Sequence, residues 1–224
     1  MKTSFEDQSR FLKSTRGPNA AVGFVCLNTE QLQAPRWNQW RCDNNAQILK
    51  RITETEEGGL FFTPAEYGPG RKRTKDNVTR LKSFWIDLDG GEGKPYRDAD
   101  ECAAALFSFS DATGLPCTYV LNSGNGIHAY FCLRESIGID DWLSLATDLK
   151  DVAQERHLHI DAPVTTDAAR VMRFPGTENL KFGKTRRPTA IIHPVHPDDS
   201  PVLYDRQTLA LKFTPQKVSK TTEV

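Results

Sequence analysis

Apolar positions follow two periods along this chain. From residue 139 to 156 they recur at three- and four-residue spacing (Ile139, Trp142, Ala146, Leu149, Val152), which is one face of an amphipathic helix. Shorter helices are predicted over residues 5–15, 44–55, 98–113 and 206–211. The first three are stopped by Gly17-Pro18, Gly58-Gly59 and Gly114-Leu115-Pro116. Runs rich in β-formers predict strands over 22–27, 60–63, 83–88, 118–121 and 127–133, with short strands at 170–174 and 189–193. Residues 28–41 read as a polar loop holding Trp37 and Trp40, and the tail from Thr214 reads as a polar end. Helices interleave with hairpin-like strands, so the class is α+β or mixed α/β.

At 224 residues the chain is long enough to bury a core without disulfide or metal staples. Lys+Arg and Asp+Glu both number 29, so net charge does not point to a polyanionic partner and the distribution of charge matters more. Positive charge gathers in one Gly/Pro-rich loop, at Arg71, Lys72, Arg73 and Lys75, and continues to Arg80 and Lys82. Such a run is either a solvated loop or a contact to a phosphate backbone. The chain contains no apolar run of the roughly 18–20 residues that span a bilayer and no signal-peptide pattern at the N-terminus, so a cytoplasmic protein with no membrane partner is expected. Five widely spaced cysteines without a C-x-x-C argue against a disulfide framework, and no zinc is expected.

The most informative segment is Phe84-Trp-Ile-Asp-Leu-Asp-Gly-Gly91. Side chains alternate across a strand, so Asp87 and Asp89 share one face while Ile86 and Leu88 share the other. Paired carboxylates repel one another, and a hard divalent cation relieves that repulsion. Taken alone, a D-x-D is often only a turn or a cap. A second segment, Asn122-Ser-Gly-Asn-Gly-Ile-His128, combines a glycine turn, whose backbone N–H groups suit anionic oxygens, with a histidine entering the next strand. By itself it reads equally as an ordinary hairpin. A third segment, residues 159–181, supplies an acid, Asp161 or Asp167, then Arg170, Arg173 and Lys181. On an extended strand Arg170 and Arg173 would face opposite sides, so only one is expected to reach a given phosphate.

The ordered set of strand-DxD, Ser-Gly-x-Gly-x-His, and an Asp followed by Ala-Arg-Val-x-Arg-x-Pro-Gly-Thr-x-Asn-x-Lys resembles the primase-polymerase branch of the archaeo-eukaryotic primase superfamily. The similarity spans about residues 58–184, and residues 1–57 match only loosely. The resemblance implies an RRM-like catalytic core over 58–213, a mixed or antiparallel sheet with flanking helices. A small N-terminal α/β extension (1–57) would pack on it, and a polar tail (214–224) would follow. It further implies that Asp87, Asp89 and a third acid, Asp161 by its apolar predecessor Ile160, are catalytic and bind Mg²⁺ or Mn²⁺, with two ions in the site. His128, Ser123, Gly124, Gly126, Arg170, Arg173 and Lys181 would bind the nucleotide, and the basic loop the nucleic acid. The implied partners are a single-stranded DNA template, nucleoside triphosphates and a replicative helicase, and the activity is primer synthesis or extension. Some family members carry a zinc-binding insertion, for which no cysteine pair exists here.

Two other readings compete. His157-Leu-His159 has the spacing of a rolling-circle nuclease metal site, with Tyr204 as the downstream tyrosine. A non-catalytic single-strand binder would use the basic loop with Trp37, Trp40 or Trp85 as stacking platforms.

Overall fold

The computed structural model describes residues 3–28, 37–55, 59–70, 72–180, 186–194 and 200–214. In chain order the elements are α1 (Phe5–Arg16), β1 (Gly23–Asn28), β2 (Trp37–Cys42), α2 (Asn45–Thr53), β3 (Gly59–Phe62) and β4 (Glu66–Tyr67). Then come β5 (Val78–Leu88), α3 (Ala99–Thr113), β6 (Tyr119–Asn122), β7 (Ile127–Gly138), α4 (Ile139–Glu155) and α5 (Ala162–Thr165). The remainder is β8 (Met172–Arg173), β9 (Glu178–Asn179), β10 (Arg187–Pro188), β11 (Ala190–His193), β12 (Leu203–Tyr204) and α6 (Arg206–Phe213). Side chains set several helix ends. Ser4 and Asp7 form a capping box on α1, Asn44 and Asp98 cap α2 and α3, and Gly114 closes α3 in the left-handed conformation at φ 59°.

The main sheet runs β11-β6-β7-β5-β4, with β12 parallel to β7 and every other pairing antiparallel. A second, four-stranded antiparallel sheet runs β2-β1-β3-β8. It joins strands from both sides of residue 58. Trp85 of β5 pairs in register with Tyr130 of β7, which pairs with Tyr119 of β6, so these three rings share the sheet face that carries Asp87. Phe11 of α1 sits among them and meets Tyr119, Tyr130, Phe62 and Phe174 edge-on at centroid distances of 5.2, 5.2, 5.5 and 6.0 Å. On the opposite face Phe84 and Phe131, also in register, receive Phe213 of α6.

A buried arginine ties the first helix to the second sheet. Arg16 is fully enclosed and donates to Asn45 and to the carbonyl oxygens of Ala21, Thr63 and Ala65. Burial lowers its pKa to about 10, and four of its five N–H donors meet an oxygen, which supports the charged form. Gly23 is required beside it, since a Cβ there would lie 2.3 Å from the guanidinium.

Several elements depart from the expected ones. Residues 37–42 form strand β2, not loop, because pairing with β1 satisfies the backbone of an otherwise polar run. β5 and β7 are longer than the apolar runs that announced them, so Arg80 and Lys82 lie within β5. Lys82 is buried with its ammonium on the Lys13 carbonyl, and Arg80 is bonded to Ser136, which removes both from the basic loop. β4, β9, β10, β12 and α5 are short elements with no period to announce them. No described helix is long and apolar enough to cross a membrane.

Candidate active site

β5 ends at Leu88, and register places Asp87 directly opposite His128 on β7. Asp87 near the end of β5 and Asp89 just beyond it both line a cavity of about 890 Å³. The Gly-containing turn from Ser123 to Gly126, together with His128, Arg170 and Arg173, forms other parts of its wall. Strand and turn meet closely: a Cβ on Gly126 would lie 2.0 Å from the Leu88 carbonyl oxygen, and one on Gly90 would lie 2.4 Å from the Asn125 carbonyl oxygen.

Burial dominates the electrostatics of one carboxylate, against the opposing influence of Arg170 and Arg173. The Asp87 side chain is only 16% exposed, and burial, then Asp89, then Asp161 raise its pKa to about 7. His128 Nε2 stands 3.6 Å from Asp87 Oδ1, but this is no ion pair. Burial, Arg173 and Arg170 push the imidazole pKa down to about 3, so the ring is neutral. Its Nδ1 is buried without a hydrogen-bond partner among the described residues. Arg173 lies over the Phe61 ring at 4.6 Å, and burial lowers its pKa to about 10 while Asp87 opposes that shift. Asp89 differs from Asp87, being bridged by Lys94 at 2.7 Å.

Among the described residues, no three acids, histidines or cysteines are arranged to cage an ion by themselves. Two same-face carboxylates, one of them buried, nevertheless fit a magnesium-like ion. Such ions are usually bound by one or two carboxylates together with substrate phosphates.

Three solved structures share this architecture. The primase-polymerase domain of cyanophage S-2L matches with a TM-score of 0.58 and 17% identity over 87% of this chain and 89% of that one. The primase RepB′ matches at 0.54 and 10% identity over 93% of this chain and 60% of that one. The polymerase domain of Mycobacterium tuberculosis ligase D, solved with DNA, matches at 0.51 and 14% over 94% and 88%. The chain has the fold of a primase-polymerase catalytic domain. No protein-family model matches it, and no curated protein matches it significantly.

Within the primase-polymerase fold the expected residues distribute unevenly. Asp87, Asp89, Ser123, Gly124, Gly126, His128, Arg170 and Arg173 line one cavity. Both arginines reach it because Arg170 lies just before the two-residue strand β8, not on an extended run. The expectation that the two would face opposite sides of an extended strand therefore does not apply here. Asp161 is adjacent but differently engaged. Its amide donates to the Asp87 carbonyl at 2.8 Å and its carboxylate caps α5 at Val164 N, 3.3 Å away, while the cavity wall does not include it. Asp167 is turned instead to Lys75 at 3.7 Å. The amides of Ser123 and Gly124 bond within the turn, to Gly126 O and Asn122 Oδ1, so these two N–H groups shape the turn and do not await an anion.

Among the described residues the basic loop does not line the cavity. Arg73 donates to Gln39 and to the Ala169 carbonyl, Lys75 pairs with Asp167, and Lys72 is exposed. Arg71 and Lys181 lie outside the described residues. Lys94, Asn122, Asn179 and Arg187 are among the further cavity residues that carried no assignment. Asn179 donates to the Ser123 carbonyl and Arg187 to the Gly124 carbonyl, so the β9–β10 pair clamps the glycine turn from outside. Asn179 stands inside the third motif and was legible there, whereas nothing local marks Arg187.

Among the described residues neither competing reading gains support from the geometry, and the Trp37 side chain and Arg71 lie outside them. Tyr204 is buried and donates to the Pro116 carbonyl, and His157 and His159 are exposed outside any metal-sized cluster among the described residues. Trp85 is fully buried and donates to the Val164 carbonyl, while Trp40 packs on the core beneath Arg51, so neither offers a free face for a base.

Proposed function

We propose that this chain is a template-dependent nucleotidyltransferase, a DNA primase-polymerase domain that makes or extends primers on single-stranded DNA. The reading rests on one observation: Asp87 and Asp89 share a cavity with His128, Arg170, Arg173 and the Ser123–Gly126 turn. In the reaction the primer 3′-hydroxyl oxygen bonds to the α-phosphorus of a nucleoside triphosphate, its proton leaves, and pyrophosphate departs. There is little covalent work for the protein, and catalysis is positioning and charge stabilisation.

Each residue has a part consistent with its surroundings. Arg170 and Arg173 give the cavity wall a positive charge suited to a triphosphate. The neutral His128 ring can donate one N–H to a phosphate oxygen without adding charge. Asp87 and Asp89 would hold Mg²⁺ or Mn²⁺, which when bound supplies Lewis-acid stabilisation of the attacking and leaving oxygens. Asp161, bonded to the Asp87 backbone, steadies the strand end and adds negative charge. A two-ion site, a replicative helicase partner and a cytoplasmic setting belong to the same proposal.

Incorporation of labelled nucleotides on primed and unprimed single-stranded DNA, with Mn²⁺ or Mg²⁺, tests it. The Asp87→Ala/Asp89→Ala double variant is expected to fold and to lose incorporation. Native-rate extension by that folded variant would refute the assignment. Salt-sensitive DNA binding with no incorporation by the wild type would favour the non-catalytic binder.

A further inference from the structure

Residues 90–96 form a loop anchored at both ends and open at its tip. Gly91 N donates to Tyr96 O at 2.9 Å, Lys94 N donates to Gly91 O at 3.0 Å, and the Tyr96 hydroxyl accepts from His159 N at 2.9 Å. The glycines give the tip its shape: Gly91 and Gly93 have φ of +123° and +70°, and a Cβ on Gly93 would meet nothing within 4 Å. From this loop the Lys94 ammonium reaches Asp89 Oδ2 at 2.7 Å, and among the described residues no other side chain bonds it. The Lys94 side chain remains 43% exposed and, like Asp89, lines the cavity.

We propose that Lys94 is an internal counter-ion for the carboxylate pair. It neutralises Asp89 while no divalent cation is present, and moves to the triphosphate of the incoming nucleotide once a cation takes its place. The inference rests on the nucleotidyl-transfer reading and adds a residue to it. Two carboxylates on one strand face repel, and a long, half-exposed lysine relieves that repulsion at little cost. A cation must then compete with the ammonium, which lowers its apparent affinity. The released ammonium faces the same cavity as Arg170 and Arg173, where a polyphosphate would offer it a stronger partner than one carboxylate. Lys94 is thus a positioning residue in the free protein and a ligand-binding residue in the loaded one.

The test measures Mn²⁺ binding to the intact chain without nucleotide, by loss of the free-ion resonance signal, for wild type, Lys94→Met and Lys94→Arg. Thermal melting confirms folding. Lys94→Met is expected to bind Mn²⁺ about three- to tenfold more tightly at low salt, with the gap narrowing as salt rises. Lys94→Arg should keep the wild-type affinity. At saturating Mn²⁺, Lys94→Met should bind nucleoside triphosphate several-fold more weakly. Unchanged Mn²⁺ affinity in Lys94→Met, or the same gain in Lys94→Arg, overturns this proposal and leaves metal-dependent incorporation standing. A wild type that binds no Mn²⁺ either alone or with nucleoside triphosphate overturns it together with the reading beneath it.

Discussion

Gly126→Ala puts the closest contact in the site under strain. The new Cβ would lie 2.0 Å from Leu88 O, 3.1 Å from Leu88 C and 3.2 Å from Asp89 Cα, against ordinary contacts of 3.4–4 Å. All three obstructing atoms are backbone, so no side-chain rotation relieves the overlap. The Leu88 carbonyl lies between Asp87 and Asp89, so any relief shifts the carboxylates relative to His128 and the glycine turn. Overpacking of this kind costs about 1–3 kcal/mol. For a chain of this size that is a fall in Tm of about 2–12 °C. Chemistry should suffer far more, because a displacement near 1 Å at reacting groups costs on the order of a hundredfold in rate. Thermal melting and primer extension on one preparation read both effects, and Gly138→Ala is the control, since a Cβ there meets nothing within 4 Å. A Gly126→Ala protein with native melting and native extension would show that the strand end and the turn do not form one rigid site.

Other outcomes follow from the same structure. Asp87 has a folded pKa of about 7 against 3.8, so the folded state holds its proton more tightly than the unfolded chain does. Its stabilising contribution is complete below about pH 4 and is lost as pH rises through 7, on the order of 4 kcal/mol at about 1.36 kcal/mol per tenfold change in proton affinity. In chelator, urea unfolding from pH 4 to 8 should therefore show Asp87→Asn gaining on wild type as pH rises, and parallel curves would contradict the burial argument. Arg73→Ala removes bonds to Gln39 and the Ala169 carbonyl and should cost about 1–2 kcal/mol in unfolding free energy. It should leave the salt dependence of DNA binding unchanged; a flatter salt slope would return Arg73 to the nucleic-acid surface.

The local chemistry of the site could be read before any fold was known. D-x-D on an apolar strand shows same-face carboxylates because side chains alternate whatever the strand packs against. The glycine turn announces His128, α1 and α3 stop at the predicted Gly17 and Gly114 while α2 ends at Thr53, ahead of Gly58-Gly59, and the ordered motifs pointed to the primase-polymerase fold that the solved structures share. Contacts between distant segments could not be read this way. Lys82 looked like part of a basic surface and is buried against Lys13, while Arg73 and Lys75 are spent on the segment after α5. Residues 37–42 became a strand only because β1 was there to pair with it. Likewise, Asp161 reaches Asp87 through a backbone bond across 74 positions, and Arg187 holds a turn 63 residues earlier. Alternation and helical period are properties of neighbouring residues, so a string of letters carries them. The partner of a charge or an edge strand is chosen by which surfaces burial forces together, and that choice exists only in the folded chain.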